Sequence, residues 1–219
     1  MGGPEPDVDS VAATLSLALH LSLKRPSDEL VVPVLCPPRG HAPLPHDTLC
    51  FLDTLGLSDP LLLWNHHLDL SSLQDEGRLS LTLLRDGLLQ SSDLYALQPS
   101  VRRVVHRRGQ RDEEGAGSSA VTTVAREILQ EAPEHVGSAL GPTLREALRL
   151  QREALWIQHG RRSEQVDELL RVLEQMSHSK LPDWEQLLTK DPKEFSDGEM
   201  TIVLTSVTME TQVKTRRQR

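Results

Sequence analysis

Asp7 and Asp9 stand two residues apart in Pro4-Glu5-Pro6-Asp7-Val8-Asp9-Ser10, at the mouth of the first helical pattern. Carboxylates paired on a loop can hold a hard divalent cation such as Mg²⁺ or Mn²⁺. The same acids can also serve the chain itself. Asp9 or Ser10 can cap the helix, its side-chain oxygen accepting a free first-turn amide. Spacing alone leaves both readings open, and the helix cap with a solvated acid is the commoner outcome. His66-His67 is the second group with ligand chemistry. Neighbours on a strand face opposite sides, so the two imidazoles read as a loop or surface pair rather than one ion site. His41 and His46 fall in a proline-rich stretch and read as solvated. There is no Gly-x-Ser-x-Gly nucleophile elbow and no Gly-x-x-x-x-Gly-Lys phosphate loop. Arg102, Arg103, Arg107, Arg108 and Arg111 form a basic run, but Asp112, Glu113 and Glu114 follow at once and neutralise it.

The elements that must position these residues alternate. Apolar positions from Ser10 to Lys24 have helical spacing. Leu30–Leu35 reads as a buried strand that Pro33 places near an edge. A proline loop then leads to a helix from His46 to Leu55. Leu61–Trp64, Leu79–Leu84 and Val101–Val105 read as further strands, with a short helix or turn from Asp69 to Glu76. Helices are expected from Ser118 or Ser119 to Glu131, from Thr143 to Gln158, from Ser163 to Met176, and briefly at Pro182–Glu185. Gly198–Val207 reads as a late strand. Strands separated by helices predict an α/β fold with a mainly parallel sheet flanked by helices.

The 219 residues suit one domain, or one domain and a piece of another. Leu is abundant and aromatics make up 3%, so the core is aliphatic. A net charge of −8 argues against nucleic acid or an anionic membrane as partner. No apolar run reaches the length of a bilayer span and no signal pattern opens the chain. Two cysteines, Cys36 and Cys50, fit a reducing compartment, so the expected location is cytoplasmic.

In this order the segments resemble the prune-like branch of the DHH phosphoesterase superfamily, which includes manganese-dependent inorganic pyrophosphatases. Asp7-Val8-Asp9-Ser10 resembles the family's Asp-x-Asp-Ser loop, and Val32-Pro33-Val34-Leu35 its second strand. Gln74–Leu83 is similar to the strand before the DHH triplet, Ile128–Glu134 to a helix end, and Lys190–Glu199 to the entry of the C-terminal DHH-associated domain. Within the branch, the likeness is to the vertebrate paralogue whose enzyme motifs are degraded. The resemblance implies a two-metal centre that generates hydroxide and clamps phosphate. It assigns metal ligation to Asp7 and Asp9, with His66 where a further Asp belongs. Arg85-Asp86-Gly87 stands where the catalytic triplet belongs, Gln151 at the last metal Asp, and Arg108 at a substrate-binding Arg. Taking Asn65-His66-His67 as the decayed triplet is an alternative register.

By the same resemblance, residues 1–158 form a DHH-like domain lacking its first core strand. Residues 159–189 form a helical linker, and 190–219 begin an incomplete C-terminal domain with a basic tail. The chain is expected to be shortened at both ends. One metal-bearing motif of four survives, which implies a catalytically weak or inactive protein, a pseudoenzyme acting through protein contacts or self-association with no cofactor. The alternative is a Mn²⁺- or Mg²⁺-dependent phosphohydrolase acting on pyrophosphate, short-chain polyphosphate or cyclic nucleotide. A third expectation is a chain with open sheet edges and no stable fold.

Overall fold

A computed structural model describes residues 6–24, 30–36, 43–57, 62–85, 95–106, 119–160, 162–176, 184 and 200–204. Four strands, β1 (Leu30–Val34), β2 (Leu79–Arg85), β3 (Val101–His106) and β4 (Met200–Leu204), form one sheet in the order β1-β4-β2-β3. All pairings are parallel. The sheet is flanked by helices α1 (Val8–Lys24), α2 (His46–Thr54), α3 (Leu70–Asp75), α4 (Ala120–Glu131), α5 (Gly141–His159) and α6 (Glu164–Met176).

β4 is the least expected placement. The segment read as opening a further domain lies inside this sheet, with Ile202 opposite Val32 on one side and Leu81 on the other. Its composition explains why. All five residues of Met200–Leu204 are buried, and a strand apolar on both faces is stable only where both faces are covered. β1, by contrast, alternates buried and half-buried residues and carries Pro33, whose missing N–H is tolerated at an edge. Beyond β1 the described part of the expected strand Leu61–Trp64 makes a single bridge, Trp64 to Leu35. The backbone then tightens into a 3-10 turn over Asn65–His67, and the ladder stops there.

The two sheet faces hold different cores. Leu30, Val32, Leu81, Leu83, Met200 and Ile202 pack beneath α3 and Leu97. On the other face Leu84 and Val203 belong to a core with α1 and α4, over which α5 and α6 pack. α1 is central to that layer: every residue from Ser10 to His20 is buried. Its interior polar groups turn back on the helix where they can, as Thr14 Oγ1 does by donating to the Ser10 carbonyl at 2.8 Å.

Most helix ends follow the residues that predicted them. Asp69 caps α3 by accepting from the Ser72 amide at 3.0 Å, and Ser119 caps α4 by accepting from Thr122 N at 3.1 Å. α5 ends at Gly160, whose φ of 60° lies in the left-handed region that glycine enters without penalty. Unanticipated is the passage from α4 to α5, a short turn over Pro133–His135 and a π-helical turn over Val136–Leu140. The expected helix at Pro182–Glu185 lies outside the described residues, apart from Trp184, which is buried in the helical core.

Candidate functional site

The acids come first. Asp7 lies just ahead of α1, and its Oδ1 accepts from the Ser10 amide at 2.9 Å, so Asp7 is the helix cap. Sequence assigned that task to Asp9 or Ser10. The helix begins two or three residues earlier than expected, which places Asp9 inside the first turn, with its carboxylate toward α4. Its Oδ1 accepts from Ser119 Oγ at 2.6 Å and from Val121 N at 3.0 Å, and its Oδ2 from Ala120 N at 2.9 Å. These are the unsatisfied first-turn amides of a helix, whose positive end favours an anion.

The network continues to the position where the last metal-binding Asp was expected. Thr122 Oγ1 donates to Gln151 Oε1 at 3.2 Å, and Thr122 N donates to Ser119 Oγ. Asp9, Ser119, Thr122 and Gln151 therefore form one connected set, half-buried or buried, at the meeting of α1, α4 and α5. Two of the positions that the resemblance brings together are together here, joined by neutral donors and a helix terminus. Ser119 was visible in the sequence as a cap, whereas Thr122 gave no signal of its own.

The remaining candidates are dispersed or undescribed. His66 and His67 are exposed, with rings edge to face at 4.3 Å between centroids. His67 Nδ1 accepts from the Trp64 amide at 3.4 Å, which gives it a local turn role. Arg85 closes β2 opposite His106, while Asp86, Gly87 and Arg108 lie outside the described residues. Among the described residues no three His, Cys, Asp or Glu side chains are placed to share a metal ion. Asp9 already accepts three hydrogen bonds, so the described groups do not fit a two-metal centre.

Two further features lie away from this set. A groove of about 490 Å³ is lined by Arg152, Glu153, Trp156, Ile157, Arg162 and Asp167. Trp156 and Ile157 are 56% and 81% exposed, high for large apolar side chains, and Arg162 sits over the Trp156 ring at 5.9 Å. At the far end of α1, the fully buried His20 meets His135 and Glu131. His20 lies more than 100 residues from both partners in sequence, and no local pattern marks it.

Known proteins share this chain's order of segments. It is 29% identical to protein prune homolog 2 of Mus musculus over 220 residues, 93% of this chain and 7% of that protein. It is 35% identical to exopolyphosphatase PRUNE1 of Bos taurus and 33% identical to that of Homo sapiens, over 143 residues, 61% of this chain and 31% of each of those proteins. The chain is homologous to the prune proteins, a branch of the DHH phosphoesterase superfamily. No family model matches it. The prune-like chain thus spans a small part of one relative and less than a third of the others. Among its described residues, no helix is long and apolar enough to cross a membrane.

Proposed function

We propose that this prune-like chain is a catalytically weak or inactive relative of the metal-dependent phosphohydrolases, acting in the cytoplasm through protein contacts. The observation that carries the reading is the Asp9 carboxylate. Both of its oxygens face the N-terminus of α4, and Gln151 continues the same network as a neutral amide. A ligand set for two cations needs several anionic or imidazole groups converging on open space. The exposed Trp156 and Ile157 support the second half of the proposal, since large apolar side chains in a groove favour contact with another surface.

Phosphate release from pyrophosphate, short-chain polyphosphate and a cyclic nucleotide, each with Mn²⁺ or Mg²⁺, tests the first half. The expected rate equals that of the metal alone. A Mn²⁺-dependent turnover that disappears in Asp9→Ala would overturn the proposal. The identity to relatives named exopolyphosphatases favours a second reading, a working phosphohydrolase in which His66 and His67 stand in as ligands. Calorimetry that detects no Mn²⁺ uptake near neutral pH eliminates it.

A further inference from the structure

His20 is fully buried on α1, yet both of its ring nitrogens meet polar groups. Nδ1 lies 3.1 Å from His135 Nδ1, in the turn after α4, and Nε2 lies 3.4 Å from Glu131 Oε2, at the end of α4. Lys24, one turn farther along α1, donates to the same Glu131 oxygen at 2.5 Å. α1 and α4 run parallel, so the pair is fastened at both ends. Asp9 holds the first turn of α4, and His20 with Lys24 holds its last.

The two fastenings respond differently to protons. Between two Nδ1 atoms at hydrogen-bond distance there is room for one hydrogen. With both rings neutral, His20 donates from Nε2 to Glu131 and accepts at Nδ1 from His135. A single added proton can be shared across the pair. A second sets two N–H groups against each other, beside Lys24. We infer that the His20–His135 pair is an acid-released latch, which pins the α4 terminus and the following turn to α1 near neutral pH and lets go on acidification.

The charged groups that face His20 set the direction. Burial pushes its ring below the ordinary imidazole range; the hydrogen bond to Glu131 pulls the other way, and the neighbouring His135 and Lys24 add to the depression. The folded ring thus stays neutral where an unfolded one, near 6.5, takes up a proton. The unfolded state binds more protons, so stability falls as pH drops below about 6.5 and levels off only below the folded value. Glu131 acts in a lower window. Lys24 holds its carboxyl below the usual range, so that contribution is lost only in stronger acid.

Urea unfolding of the full chain between pH 8 and 5 tests the latch, alongside His135→Gln and His20→Gln. The wild-type folding constant should be flat above about pH 7.5 and fall by up to about tenfold for each pH unit below 6. His20→Gln should lose nearly all of that dependence, and His135→Gln only the share that the facing imidazole adds to burial. If His20→Gln fails to fold, the turn amides of His135→Gln decide alone. Amide resonances of 131, 132 and 134–136 should also shift with the same midpoint in the wild type, and they should stay fixed in His135→Gln. A wild type without pH dependence from 8 to 5, or turn amides that shift in His135→Gln as they do in the wild type, would overturn the inference.

Discussion

Replacing Asp9 by Ala removes the acceptor of three hydrogen bonds and leaves Ala120 N and Val121 N without this partner at the start of α4. Charge-assisted bonds to a helix terminus make that a loss of about 1.5–3 kcal/mol, read as a lower urea midpoint. Asp9→Asn keeps an acceptor and should lose less. If Asp9 held a cation instead, Mn²⁺ would raise the wild-type melting temperature and leave Asp9→Ala unmoved; the expectation is no rise in either. The sequence showed two acids and could not say which partner they meet, because Ser119 stands 110 residues away. Gln151 was marked only through the resemblance, and it joins Asp9 by way of Thr122 and Ser119. The His20 pair was out of reach, because burial and contact are tertiary facts with no local pattern.

At the scale of elements, local chemistry and structure agree most closely where a single residue decides the outcome. Ser119, Asp69 and Gly160 each sit where a capping oxygen or a left-handed turn is needed, and each was readable. Gly160→Ala meets no neighbour with its new Cβ, so its cost of about 1 kcal/mol is backbone strain alone and should appear as a modest drop in melting temperature. α1 departs from that pattern of legibility. Its apolar spacing predicted an amphipathic helix, but it is covered on all sides by α4, α5 and the sheet. Leu17→Ala, in the middle of it, should cost about 2–5 kcal/mol with the slope against urea unchanged. The strand at Leu61–Trp64 was over-read because a short apolar run looks the same whether it extends a ladder or touches it once.

For the molecule as a whole, strand order was the least legible property. Helix and strand types fall out of periodicity, but nothing local says that Met200–Leu204 slots between β1 and β2. Its mostly apolar composition was compatible with an interior strand and equally with the start of something else. Identical substitutions at the centre and edge test the arrangement. Val203→Ala, fully buried on β4, should cost about 2–3 kcal/mol, and Val31→Ala, half-buried on β1, about 1 kcal/mol. Equal losses would place β4 at an edge. The arrangement also has a consequence during synthesis. β1, β2 and β3 leave the ribosome long before Met200–Leu204 has been translated, so the nascent chain holds two strands whose facing borders must wait. A chain stalled at residue 199 should be cut by protease within β1 or β2 and held by chaperones, and synthesis of five more residues, once clear of the exit tunnel, should end both.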